Sequence, residues 1–338
     1  KDKHVYPYES QISTALKTLL QEAPMVGFVT GHKERSGMDM GEKGYGTFAS
    51  NKTFRYSLEN SGYGVREISL EHPVAEDINI IVLADMRSDF TEEEFRNFDA
   101  YLERGGNLFI LGEPKRQQFM NPVIERLGLR FADGIIVSPS EVNLDDLVAA
   151  NIKEGAAKVS ENYIRYFRSG YSIMTPSACA VEVIDSAKGF EITEVLASAG
   201  KGSWVEKETT DFINEKSVLN PAVGEVEKSN SIMLYLTRPV NNKEQRIFVI
   251  GDADCISTLE LSQNRPGFRS SNFTLITETF RNLSYGEFPV EASRVNPPDD
   301  RVLVTRNVIF GIRVVLMWII PLLFVTGCIT LLIRRKRK

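Results

Sequence analysis

Histidine, cysteine and tryptophan are scarce in this 338-residue chain, which holds three, three and two of them. So few imidazoles and thiols argue against a disulfide-stapled small fold and against a zinc centre built on His and Cys. No GxxxxGK[ST] phosphate loop, HExxH zinc helix, GxSxG elbow, GxGxxG fingerprint or CxxC pair occurs. The usual signatures of nucleotide hydrolysis, zinc proteolysis, serine hydrolysis and dinucleotide binding are thus missing. There is no internal repeat and no low-complexity tract, and the composition excludes a collagen, a coiled coil and a disordered tail. Overall hydropathy is near neutral, so the chain is not a polytopic membrane protein. Long apolar runs are absent too, with one exception.

That exception is residues 314–333, twenty positions without a charge. At ~1.5 Å rise per residue such a helix covers about 30 Å, the thickness of a bilayer's hydrocarbon core. A buried core helix is the alternative, but core helices seldom run this far uncharged and then end in Arg334-Arg335-Lys336-Arg337-Lys338. We place a transmembrane helix over 308–333 and a basic end over 334–338. Pro321 is tolerable mid-span. Arg313 can snorkel toward head groups, and Trp318 is amphipathic enough to sit shallow. Six of the 40 basic residues lie in 308–338, which has no acid; residues 1–307 keep 34 against 45 acids, a net of −11. Basic flanks stay cytoplasmic. The expected placement is a body outside the cytoplasm and a cytoplasmic C-terminus. The chain opens Lys1-Asp2-Lys3 with no apolar leader, which reads as a processed or partial product exported by something upstream.

Along the body, residues 1–22 form an amphipathic helix. Ser10 is placed to cap it, and Ile12, Ala15, Leu16, Leu19 and Leu20 make one apolar stripe. Residues 23–140 alternate short apolar runs with helical stretches, the pattern of an open parallel α/β sheet. Met25-Val26-Gly27-Phe28-Val29-Thr30 reads as the first strand and opens into a Gly-rich, charged loop over 31–46. Thr91 with Glu94 forms a capping box, and Phe90 with Phe95 a hydrophobic staple, for a helix that Gly105-Gly106 ends. Residues 141–286 read as a mixed α+β part of short strands, and 287–307 as a Pro-bearing linker. Cys179 and Cys255 leave a disulfide open as one alternative.

Ligands of open α/β sheets bind beyond the carboxyl ends of the strands. Those ends offer Gly31, His32 and Glu34 after the first strand and Gly112 and Glu113 after the fourth. Acid–base work or polar binding is one reading; tight turns and solvated charges are the other. Asp252 and Asp254 alternate along an extended segment, which puts both carboxylates on one side, within reach of a single cation. More often such aspartates cap a turn or the following helix, and that is the reading we favour. No cofactor is expected, and so acidic a body is no nucleic-acid binder.

Several segments resemble a known family. Tyr8-Glu9-Ser10-Gln11-Ile12-Ser13-Thr14-Ala15-Leu16 followed by Val26-Gly27-Phe28-Val29-Thr30-Gly31-His32 is similar to the opening of the GldG-type auxiliary domain of ABC-2-type transporters, associated in some bacteria with gliding motility. Ile80-Ile81-Val82-Leu83-Ala84, Tyr101-Leu102-Glu103-Arg104-Gly105-Gly106 and Phe248-Val249-Ile250-Gly251-Asp252-Ala253-Asp254 continue the likeness, as does the basic-ended closing span. The resemblance implies a fold like class I glutamine amidotransferases and flavodoxin-like proteins. It also implies a non-enzymatic accessory or substrate-binding role beside an ABC-2 permease and a cytoplasmic ATPase, compatible with self-association. The amidotransferase activity itself is not implied, because residues 1–178 contain no cysteine. Two other functions stay open: an extracytoplasmic hydrolase or transferase using His32, Glu34 and Glu113, and a stand-alone glycan- or peptide-binding module.

Overall fold

The computed structural model describes residues 7–185, 188–265, 267–290 and 306–337. Lys338 and most of the expected linker lie outside the described residues. The elements in chain order are α1 (Glu9–Thr18), β1 (Met25–Val29), α2 (Gly46–Ala49), β2 (Gly64–Ile68), β3 (Ile78–Ala84), α3 (Glu92–Glu103), β4 (Asn107–Leu111), α4 (Gln117–Ile124), β5 (Leu129–Phe131), β6 (Ile135–Val137), β7 (Leu147–Ile152), α5 (Glu161–Arg168), β8 (Ile173–Pro176), β9 (Val181–Val183), β10 (Glu191–Ala197), β11 (Trp204–Glu206), β12 (Ser231–Val240), β13 (Lys243–Ile250), α6 (Thr258–Ser262) and α7 (Asn272–Leu283). The C-terminal helix comprises α8 (Arg306–Val314), a π turn over Val315–Ile319, and α9 (Ile320–Lys336).

Nine strands form one sheet in the order β2-β1-β3-β4-β13-β12-β10-β7-β8. From β2 to β13 every pairing is parallel; from β13 to β8 every pairing is antiparallel. The expected parallel strands of 23–140 are therefore joined, through β13, to strands of 141–286 in a single mixed sheet. The parallel strands read as continuous apolar runs because helices cover both their faces. Val26, Phe28, Ile80, Val82, Phe109 and Phe248 face α7 through Phe280 and Leu283. Ile81, Leu83, Leu108 and Ile110 face α3 and α4 through Phe98, Leu102, Met120 and Val123. Each such buried side chain contributes about 1.5–3 kcal/mol.

The Thr91 capping box forms as its spacing requires. Thr91 Oγ1 accepts from the Glu94 amide at 3.2 Å, while Glu94 Oε2 accepts from the Thr91 amide at 2.7 Å. The Phe90 and Phe95 rings of the staple stand 5.4 Å apart. At α1 the outcome differs: Tyr8, not Ser10, is the N-cap, its amide donating to Gln11 Oε1 at 2.9 Å. Ser10 then falls inside the first turn. The stripe of α1 faces outward, and Thr14 on the opposite side is its buried residue.

The chain divides into two compact units, Lys1–Ala292 and Ser293–Lys338. In the second, residues Val308–Lys336 form one helix long and apolar enough to cross a membrane, and none of its apolar window is buried. Pro321 lacks an amide hydrogen and its ring crowds the carbonyl four residues back; the helix takes its π turn just ahead of it.

Candidate functional site

The carboxyl ends of β1, β3, β4 and β13 meet around one guanidinium. Arg35 comes from the loop after β1, which lies over the strand ends; its amide donates to Ala84 O at 3.1 Å, and Gly44 O accepts from the Thr258 amide at 3.0 Å. The Arg35 side chain is 3% exposed. Its Nε donates to Asp85 Oδ2 at 3.3 Å, its Nη1 donates to Ala253 O at 3.1 Å and pairs with Asp254, and its Nη2 stands 3.3 Å from Glu113 Oε2. Asp85 also takes Arg87 Nη2 at 2.6 Å and Arg116 Nε at 3.0 Å. The Tyr45 hydroxyl donates to the same Ala253 carbonyl at 2.8 Å.

The geometry brings Glu113, Asp252 and Asp254 into this cluster and splits them by role. Asp254 is an ion partner, to Arg35 and to Lys43 at 3.7 Å. Asp252 is fully buried and caps the turn: its Oδ1 accepts from the Asp254 and Cys255 amides at 2.7 and 3.1 Å. The two carboxylates therefore serve different partners, and among the described residues no group of three or more His, Cys, Asp or Glu is placed to hold a metal ion. Arg35 Nη2, Glu113 Oε2 and Asp252 Oδ2 are buried without a hydrogen bond, so the cluster is charged but incompletely satisfied. Burial, with Asp254 nearby, pushes the Glu113 carboxyl up to about 7 against the pull of Arg35. Burial, then Glu113 and Asp254, hold Asp252 well above the carboxylate range. Burial opposes the Arg35 charge, yet Tyr45, Glu113 and Asp254 more than offset it.

His32 and Glu34 belong to a neighbouring set. His32 Nδ1 lies 3.1 Å from Glu34 Oε1, and its Nε2 lies 3.3 Å from Glu94 Oε1. The ring meets Phe90 edge-on at 4.9 Å, so the capping glutamate and the staple of α3 also hold the imidazole. Burial raises the Glu34 carboxyl despite its bonds to His32. Burial works upward on Glu94 too, but the Thr91 amide and hydroxyl and His32 hold it below its ordinary value. Gly31 (φ 130°) supplies a turn that L side chains rarely adopt. Gly112 leaves room for Phe131, whose ring a Cβ would meet at 2.5 Å.

Arg35 and Asp85 are the site residues that sequence reasoning missed. Asp85 had a signal, since it directly follows the buried run of β3 at a carboxyl end; its φ of 52° is a conformation that aspartate tolerates better than most residues. Arg35 had none, because its partners stand 50, 78 and 219 positions away. Cys179 and Cys255 are free, buried thiols, donating to Gly251 O and Asp252 O at 3.2 Å each. Burial raises both well above the ordinary thiol value, which is the opposite of nucleophile activation.

The protein is thus an α/β body whose strand ends converge on its own buried arginine, followed, among the described residues, by one helix long and apolar enough to cross a membrane. The chain belongs to the ABC-type uncharacterized transport system family, an auxiliary component of such systems, which matches residues 23–283. That agrees, at family level, with the resemblance to the GldG-type auxiliary domain. No curated protein matches the sequence. Among solved structures, the mmIFT52 N-terminal domain is similar in fold, with a TM-score of 0.51 and 15% identity over 78% of this chain and 98% of that one. A thua-like protein from Parabacteroides merdae ATCC 43184 aligns with a TM-score of 0.39 and 11% identity, over 74% of this chain and 95% of that one.

Proposed function

We propose that this protein is a non-enzymatic, extracytoplasmic accessory or substrate-binding component of an ABC-2-type transport system in a bacterial inner membrane. The observation that carries the reading is the family match over 23–283 followed, in the same chain, by the apolar helix Val308–Lys336. Arg334, Arg335, Lys336 and Arg337 at its end favour a cytoplasmic C-terminus. A permease and a cytoplasmic ATPase are the partners this reading needs. A place in gliding motility belongs to the same proposal and rests on the GldG likeness alone.

The non-enzymatic part is supported by the chemistry at the strand ends. Arg35 sits among carboxylates where a ligand would lie, His32 is held between Glu34 and Glu94, and both body thiols are buried. Purification of the full chain through an affinity tag, in mild detergent from its own host, tests the assignment. A permease and an ATPase should co-purify in constant ratio. Recovery of an intact permease–ATPase pair that lacks this chain, with the chain purifying alone, would reject it. In the same cells His32→Ala should leave transport within twofold; loss of a turnover with the fold intact would support the hydrolase or transferase reading instead.

A further inference from the structure

A second constellation of charged side chains lies at the other end of the sheet from Arg35. Asn107 opens β4, and its Oδ1 accepts from the Arg246 amide at 2.8 Å and from the Tyr285 hydroxyl at 3.4 Å. Beside them a cleft of about 500 Å³, the size of a small-molecule site, opens between the start of α5, β13 and the end of α7. Its walls carry three cations, Lys158, Arg246 and Arg281, against two carboxylates, Glu161 and Glu278. That is a local excess of one positive charge on a body of net −11.

The walls are held in place by their own bonds. Ser160 caps α5, accepting from the Asn162 amide at 3.1 Å and donating to Glu278 Oε2 at 2.5 Å, while Asn162 Nδ2 donates to Glu278 Oε1 at 3.0 Å. Glu278 is thus occupied by neutral donors, and Arg281 Nη1 stands 3.7 Å from it. Arg246 Nη1 donates to Asn282 O at 2.8 Å, its Nε pairs with Glu244 at 2.8 Å, and its guanidinium lies 4.6 Å over the Tyr285 ring. Its Nη2 takes no part in these bonds. Glu191, the partner of Lys158, and Glu244 are 65% and 50% exposed, so each pair is worth little and yields to a competing anion. Asn282, by contrast, is 8% exposed; its Nδ2 donates to Val159 O at 3.3 Å, and its Oδ1 is buried without a hydrogen bond. A buried amide oxygen without a donor is costly, and a ligand hydroxyl satisfies it.

Arginine forks match phosphate oxygens, and two of them with a lysine exceed what a single carboxylate neutralises. A phosphate monoester carries close to two negative charges at neutral pH. We propose that this cleft binds a sugar phosphate, with the phosphate on Arg246 and Arg281, Lys158 at the rim, and a sugar hydroxyl donating to Asn282 Oδ1. The site needs neither a permease nor a given orientation of the C-terminal helix, so it stands or falls apart from the transport reading. Titration calorimetry of the full chain in a polyoxyethylene detergent tests it, with glucose 6-phosphate, inorganic phosphate and glucose as probes. The sugar phosphate should bind saturably and about tenfold more tightly than inorganic phosphate, with glucose silent. Arg246→Gln should weaken that binding about tenfold and Lys158→Gln several-fold. Lys158 is 60% exposed, so its variant keeps the fold even if Arg246→Gln does not. Absence of saturable binding at millimolar glucose 6-phosphate overturns the proposal. So does wild-type affinity in the Lys158→Gln and Arg246→Gln proteins at an unchanged urea midpoint. Equal affinity for the two phosphates overturns the assignment to a sugar.

Discussion

Glu113 sits where an ion pair and a desolvated acid compete. Arg35 Nη2 is 3.3 Å away but makes no hydrogen bond to it, and burial with Asp254 outweighs the arginine, so the carboxyl titrates at about 7 rather than its ordinary 4.5. Between those two values the folded chain binds more protons at this site than the unfolded chain. Stability therefore falls as pH rises, with the contribution complete below about 4.5 and lost through about 7. The loss is on the order of 3 kcal/mol. Asp252, raised for the same reason, acts in the same direction. Glu94, held low, titrates below this window. Glu113→Gln removes this titration and leaves that of Asp252, so in urea unfolding of the full chain in detergent wild type should lose more stability than the variant between pH 5 and 8. Equal slopes for the two proteins would mean that Glu113 is ionised throughout.

At the scale of elements, α3 joins the fold to the candidate site. Its capping glutamate satisfies the Thr91 amide with one oxygen and approaches His32 with the other. Thr91→Ala should cost about 1 kcal/mol, read as a lowered urea midpoint with an unchanged m-value. An unchanged midpoint would show that packing of Phe90 and Phe95 alone fixes the start of α3. This helix was fully legible in the sequence, because cap, staple, stripe and terminal glycines are all local. The parallel strands were legible too, since burial on both faces leaves unbroken apolar runs. β7 and α5 were not. In β7 only alternate residues are buried, within a short Ala-Ala-Asn stretch, and α5 buries only Tyr163, so neither makes a recognisable run or stripe. β13 was found only from Ile247, because its first half, Lys243-Glu244-Gln245-Arg246, has the composition of a loop. The Arg35 cluster was half legible for a related reason: strand ends are local features that place Glu113, Asp252 and Asp254, whereas the cation joining them arrives from a distant loop. The orientation of α1 was not legible at all. An apolar stripe marks a face that must be covered, but period alone does not say by what.

At the scale of the molecule, the charge division and the apolar helix make one claim about topology. A body of net −11 precedes an apolar helix that ends in Arg334, Arg335, Lys336 and Arg337. Positive flanks resist translocation, while acidic domains are far less restrained. The proposed orientation puts Lys201, in an exposed body loop, outside the cytoplasm and Lys336 inside. Single cysteines at the two positions, in a Cys328→Ser background, report this directly, because Cys179 and Cys255 are buried. In intact spheroplasts a membrane-impermeant maleimide should label Lys201→Cys, and Lys336→Cys only after permeabilisation. The reverse pattern would place the acidic body on the ATPase side of the membrane. It would remove the extracytoplasmic role while leaving family membership, which rests on residues 23–283, untouched. Labelling of both positions without permeabilisation would mean that the helix does not span. The anchor and the body's location are thus separable outcomes of one experiment, and each bears on a different part of how this chain would serve a transporter.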